Sequence, residues 1–263
     1  MQSQKNNYRL HDENSVFEIA LLSVIGNREE QQDSAGYQLR KNEGVVVVCD
    51  GMGGHEGGQI ASTLATEAIL KSYSEEYPLD SPHSWLLDMA NETDKRIAML
   101  ENKQGDTMKA GSTIVSVFVR DHFLYWLSVG DSRIYLYRAG ELVRATTDHN
   151  YKQLLDRQLD TGQINEEVYN CEIEQGEALV SFLGVNGLPF IESNDIAFEL
   201  RSGDKILLTT DGLYRLLSDD GIKNIITNFE NISDALVAME TKAQRCAANI
   251  SRDNMTVALL SVK

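Results

Sequence analysis

Three apolar stretches follow one another along the middle of the chain, at residues 112–119 (STIVSVFV), 122–129 (HFLYWLSV) and 133–137 (RIYLY). Only short turns at Arg120-Asp121 and Gly130-Asp131 separate them. Runs rich in β-branched and aromatic residues read as strands, and this spacing predicts an antiparallel meander. Residues 141–145 would extend it past the turn at Ala139-Gly140. Further strands are expected at residues 17–24, 36–39, 45–48, 196–200, 205–210 and 255–262. Apolar residues at spacings of three and four predict helices from about Gly58 to Tyr77 and again from Pro82, where Ser81-Pro82 looks like an N-cap followed by proline at the first helical position. Shorter helices are expected at residues 151–159, 165–169, 213–217 and 219–229. Ser233 would cap a last one with Leu236, Met239, Ala243, Ala247 and Ile250 on its face.

Strands and helices thus come in blocks, without the strict strand-helix alternation of a doubly wound parallel sheet. Antiparallel sheets covered by helices are the expectation. Residues 1–15 look like a polar arm, and 149–194 like an acidic, irregular insertion packed on the β core. No linker or low-complexity segment interrupts the rest, so residues 16–263 read as one domain.

Charge narrows the partners. The 263 residues carry a formal charge of −16, and a chain this acidic is repelled by nucleic acid and anionic membrane alike. No window approaches the roughly 18 apolar residues needed to span a bilayer, and the polar start lacks a signal-peptide stretch. The cysteines, Cys49, Cys171 and Cys246, are odd in number and have no metal-ligand spacing. A reducing, cytoplasmic setting is expected, with Cys49 a small buried hydrophobe.

The chemistry lies where strands end. The Val45–Val48 run leads into Cys49-Asp50-Gly51-Met52-Gly53-Gly54-His55-Glu56-Gly57-Gly58. Taken alone, Asp50-Gly51 is a common turn dipeptide. The pattern recurs at Leu207-Leu208-Thr209-Thr210-Asp211-Gly212, and Val129-Gly130-Asp131 and Arg252-Asp253-Asn254 place two more acids beside strands. Asp33 ends the first polar loop. Carboxylates converging on one sheet edge need a hard cation to be tolerated, and oxygen-only ligands suit Mg2+ or Mn2+ over Zn2+.

In order and context these segments resemble the metal-dependent serine/threonine protein phosphatases of the 2C type. The matching pieces are Arg28 with Asp33, VVVVCDGMGGHEGG, AGSTIVSV, LSVGDSRIYLYRAGEL, TTDHN, LLTTDGL and SRDNMTVALL; the Asp-Gly-Met-Gly-Gly version is that of the bacterial branch. The resemblance implies a four-layer α-β-β-α sandwich, an α+β fold of two antiparallel sheets flanked by helices, with a flap formed by the insertion at about 149–194. It implies that Asp50 bridges two ions of Mn2+ or Mg2+, that the Gly51 carbonyl and Asp211 and Asp253 complete the ligands, and that Asp131 helps to hold a third. Arg28 would grip the substrate phosphate, and Asp33 would act through metal-bound waters.

The implied reaction is hydrolysis of phosphoserine and phosphothreonine in proteins by a metal-bridged hydroxide, with no phosphoenzyme. It would reverse a bacterial serine/threonine kinase, in the cytoplasm and as a monomer. Three departures from the pattern stand out. Gln31 replaces the usual Asn of the Arg28–Asp33 loop. Met52 stands where many eukaryotic members carry a His proposed as general acid, leaving His55 or a metal-bound water for that role. The stretch 170–184 departs from the usual flap. A regulatory phosphatase-like module with little catalysis is the alternative that metal-dependent turnover would exclude.

Overall fold

The structure, a computed structural model, describes residues 7–54, 56–248 and 250–263. In chain order its strands and helices are β1 (Asn7–Glu13), β2 (Phe17–Val24), β3 (Ser34–Leu39), β4 (Glu43–Cys49), β5 (Gly51–Met52), α1 (Gly57–Glu75), α2 (Pro82–Ala98), β6 (Gly111–Ser112), β7 (Ile114–Arg120), β8 (Phe123–Val129), β9 (Arg133–Arg138), β10 (Glu141–Arg144), α3 (Tyr151–Asp160), α4 (Glu166–Glu172), β11 (Glu192–Ser193), β12 (Phe198–Glu199), β13 (Lys205–Thr209), α5 (Asp211–Tyr214), α6 (Asp219–Asn228), α7 (Ile232–Cys246) and β14 (Met255–Val262).

Two antiparallel sheets form the centre. One has the order β1-β2-β14-β13-β9-β10, the other β11-β8-β7-β4-β3 with β12 also paired to β8. Alternation along each strand explains why these runs are apolar throughout. In β4, Val46 and Val48 face the other sheet, packing with Ile19, Leu21, Val115, Ile206 and Ala258. Val45, Val47 and Cys49 face the opposite way, against Ala61, Ala65 and Ile69 of α1 and Leu86 and Ala90 of α2. In the other sheet, Leu22, Leu207 and Leu259 pack beneath Leu213, Ile222, Leu236 and Met239 of the last three helices. The layers are therefore α-β-β-α. Strands buried on both faces cannot be amphipathic, and truncating a fully buried side chain such as Leu236 to alanine costs about 2–5 kcal/mol.

Several elements depart from expectation. Asn7–Glu13, expected within a loose arm, is an edge strand paired residue for residue with β2. Its side chains are mostly exposed, so backbone hydrogen bonding more than burial places it. Residues 1–6 lie outside the described residues. The expected meander divides: β7 pairs with β8, but β9 joins the other sheet beside β13. The chain changes sheet at Gly130, where φ is 104°, a backbone conformation open chiefly to glycine. The strand expected at 196–200 shrinks to Phe198–Glu199. The last helix is capped by Asn231, whose side chain accepts from the Asp234 N–H, and not by Ser233. Ile250, expected on that helix's buried face, is exposed.

The segment after β10 carries α3 and α4, capped by the side chains of Asn150 and Asn165. It is fastened to the core through bridges of Asn150 to Leu179 and Ser112 to Leu183. A buried carboxylate secures its far end: Asp94 accepts from the backbone N–H groups of Gly184, Asn186 and Gly187 at 2.8, 3.1 and 2.6 Å. Burying Asp94 would be costly without such donors.

Candidate active site

The acids at the strand ends open onto one cavity of about 770 Å3. Arg28, Asp50, Gly51, Asp131, Asp211 and Asp253 all line it. Asp50 leaves β4 and is held by β7's approach: its N–H donates to Thr113 Oγ1 at 2.9 Å, and its carbonyl accepts from the Thr113 N–H at 2.8 Å. The next residue must be glycine. A Cβ on Gly51 would stand 2.1 Å from the Gly58 carbonyl oxygen and 2.5 Å from that of Gln32, closer than any side chain tolerates. The start of α1 thus presses directly on the Asp50-Gly51 loop.

Asp131 follows the turn at Gly130. Tyr214 Oη donates to both its carbonyl and its Oδ2, at 3.0 and 3.2 Å, and Arg133 lies 3.5 Å over the Tyr214 ring. Asp253 precedes β14, where the neighbouring Asn254 organises the whole 25–33 loop. Its side chain donates to Ile25 and Glu30 carbonyls and accepts from the Gln32 N–H. Gln31, the residue that departs from the family pattern, is buried and useful there: it donates to Ser23 Oγ at 3.0 Å and accepts from the Asp33 N–H at 3.2 Å. Asp33 lies behind the cavity wall rather than in it, with Oδ2 accepting from Thr210 Oγ1 at 2.9 Å. His55 lies outside the described residues.

The electrostatics follow from burial and from the crowding of the acids. Burial, and then the neighbouring Asp33 and Asp211, push Asp50 well above the usual carboxylate range. Burial likewise raises Asp33 to about 7, against hydrogen bonds from Thr256 and Thr210, and Asp211 to about 6, against the opposite charge of Arg215. Asp131 is raised by burial and by Asp148. Crowding carboxylates disfavours ionisation of each.

The only cationic residues among the described lining answer part of this charge. Arg28 Nη2 donates to Asp253 Oδ2 at 2.6 Å, and Arg215 Nε stands 2.7 Å from Asp211 Oδ2. Among the described residues no three His, Cys, Asp or Glu side chains form a ready-made metal cage, and two of the acids are engaged by these arginines. The donor set nevertheless fits a hard divalent cation. Asp211 Oδ1 is buried without a hydrogen-bond partner, the other donors are oxygens, and such a cation would reverse the upward shifts.

Comparison with known proteins decides the family. The protein phosphatase 2C family matches residues 23–250. The chain belongs to the protein phosphatase 2C family. This phosphatase is 28% identical to the serine/threonine phosphatase stp of Listeria welshimeri over 237 residues, covering 89% of this chain and 90% of that one. It is 29% identical to the protein phosphatase PhpP of Streptococcus pneumoniae, covering 93% and 97% of the two chains. Among solved structures, the S. agalactiae serine/threonine phosphatase superposes with a TM-score of 0.76 at 27% identity, over 94% of this chain and 100% of that one. The catalytic domain of Mycobacterium tuberculosis PstP, in complex with two manganese ions, does so with a TM-score of 0.74 at 26% identity, over 94% and 98%. The phosphatase is of the bacterial branch, its fold is the expected sandwich of antiparallel sheets and helices, and its catalysis is metal-dependent.

Among the lining residues, the sequence reading assigned no role to Thr113, which orients Asp50, nor to Glu177, Phe182 and Arg215. Arg215 stands four residues after Asp211 on a helix, a spacing at which opposite charges meet.

Proposed function

We propose that this phosphatase removes phosphate from phosphoserine and phosphothreonine in proteins, using two Mn2+ or Mg2+ ions and a weaker third. The observation that carries the reading is the convergence of Asp50, Asp131, Asp211 and Asp253 on one cavity with Arg28. Asp50, the Gly51 carbonyl, Asp211 and Asp253 would hold the pair, and Asp131 with Asp211 the third. When bound, such ions acidify a water and neutralise charge on a phosphoryl group.

The chain's own residues bind and orient. Arg28, more than half exposed as a side chain, presents a planar fork suited to two phosphate oxygens. Asp33, which accepts a hydrogen bond from Thr210 beside Asp211, would act through metal-bound waters. In hydrolysis the oxygen of water bonds to phosphorus as the bond from phosphorus to the serine or threonine oxygen breaks, and that oxygen leaves with a proton. Cys49 is fully buried and its thiol is pushed up to about 12 by burial, so it offers no nucleophile.

The substrates are phosphoproteins made by a serine/threonine kinase, and the segment at about 149–194 acts as the flap that shapes their choice. We place the enzyme in the cytoplasm, a reading supported by three free cysteines and by the lack, among the described residues, of a helix long and apolar enough to cross a membrane. The test is phosphate release from phosphoserine, phosphothreonine and phosphotyrosine peptides with Mn2+, Mg2+ or chelator. Release from the first two that depends on the metal is expected. Metal binding without turnover of any phosphopeptide would favour the regulatory module instead.

A further inference from the structure

Two cations line the cavity among its described residues, and the family resemblance assigns only one. Arg215 enters from the end of α5 and Arg28 from the loop after β2, and both are lining residues. Their settings match. Each guanidinium lies on the outer oxygen of an acid expected to hold a cation: Arg28 on Asp253 Oδ2 at 2.6 Å, Arg215 on Asp211 Oδ2 at 2.7 Å. Each side chain is about half exposed, 57% and 46%, so neither is locked in the core. Arg215 has a second tether. Its Nη2 stands 3.0 Å from Glu177 Oε2, on the segment that closes one wall of the cavity. That contact keeps the fork at the cavity mouth.

The charge balance decides what these arginines do when the site is loaded. A divalent ion on the Oδ1 side of Asp211 takes over the neutralisation that Arg215 now supplies. A guanidinium beside a dication is repelled, while a phosphate dianion entering the same cavity offers it two oxygens in the geometry a fork prefers. We propose that Arg215 is a second phosphate-contacting residue, exchanging Asp211 for a non-bridging oxygen of the substrate phosphate, with Glu177 holding it in place. The inference rests on the phosphatase reading above and adds a residue to it.

The test uses the full chain loaded with saturating Mn2+, whose affinity is first measured separately for each variant. Calorimetry then gives the dissociation constant of inorganic phosphate, and steady-state kinetics give KM and kcat for a phosphothreonine peptide. In Arg215→Ala the phosphate dissociation constant should rise and kcat/KM should fall, each about tenfold or more, and Mn2+ affinity should not weaken. Arg215→Lys keeps the charge without the fork, so it should lose only part of the affinity; it also serves should the alanine variant fold poorly. Phosphate affinity unchanged in both variants would overturn the proposal. So would a loss found only below Mn2+ saturation and absent at it, because Arg215 would then merely orient Asp211. The wild-type kinetics separate the two readings: a wild-type protein that binds phosphate through Arg215 yet releases none from any phosphopeptide would defeat the assigned activity and leave the contact standing.

Discussion

Asp211→Asn should make the cation-free protein more stable and the enzyme inactive. Burial raises the Asp211 carboxyl from its ordinary 3.8 to about 6, despite the attraction of Arg215. Only 14% of the side chain is exposed, so solvent screens little of the effect. Ionising it in the folded state therefore costs about 3 kcal/mol more than in the unfolded chain. The sign follows from the upward direction. Below pH 4 the carboxyl is protonated in both states and the cost is absent; it grows as pH rises and is complete above about pH 6. Asparagine never ionises, so in chelator at pH 8 the variant should exceed the wild type by about 1–3 kcal/mol. For a chain of this size each kcal/mol moves Tm by about 2–4 °C. Near pH 4 the two should converge. Mn2+ should reverse the order, because a ligand that binds only the folded state adds about 2.7 kcal/mol at a hundred times its Kd. The variant lacks the charge that ligation needs and should gain much less. Scanning calorimetry at pH 4, 6 and 8, with chelator and with Mn2+, reads all of this, and a phosphopeptide assay should find turnover reduced at least about a hundredfold. A variant less stable than wild type in chelator at pH 8, or one with the full Mn2+ shift, would refute the view that Asp211 is a strained acid awaiting a cation.

Other outcomes follow from single contacts. Arg28→Ala should lower kcat/KM by about 30- to 1000-fold, the 2–4 kcal/mol of a charge-assisted bidentate contact, while Mn2+ affinity holds or improves because Asp253 loses its competing partner; weakened Mn2+ binding would contradict this. Asp94→Ala leaves three backbone N–H donors unpaired and should cost about 2–4 kcal/mol in a denaturant melt, with faster hydrogen exchange at Gly184, Asn186 and Gly187. Cys49→Ala should lower stability by about 1–2 kcal/mol and leave kcat within about twofold; abolished turnover in a folded variant would restore the thiol to the chemistry.

What could be read beforehand follows from how each residue is placed. Strands β2, β4, β13 and β14 were legible because both faces are buried, so each is apolar along its length. The acids were legible because each lies within two residues of a strand end, or ends the loop after a strand. Backbone pairing leaves no such trace. β1 is mostly polar and exposed, and its hydrogen bonds to β2, with Tyr8 packed inward, place it. The passage of β9 into the other sheet was hidden because RIYLY is apolar on both faces in either sheet: Ile134 packs between the sheets and Tyr135 under the last helices. Long-range polar anchors are hidden for another reason. Asp94 sits on a helix where an acid ordinarily faces water, and nothing in its neighbours signals three donors about 90 residues away. Arg215 is the sharpest case. An arginine four residues after an aspartate is the commonest kind of exposed helix pair, worth a few tenths of a kcal/mol. It becomes a candidate substrate contact only because the helix begins at the acid itself, so the pair lies in the cavity and not on a solvated face. The pattern of residues is the same in both cases; the position of the helix end relative to the sheet decides between them.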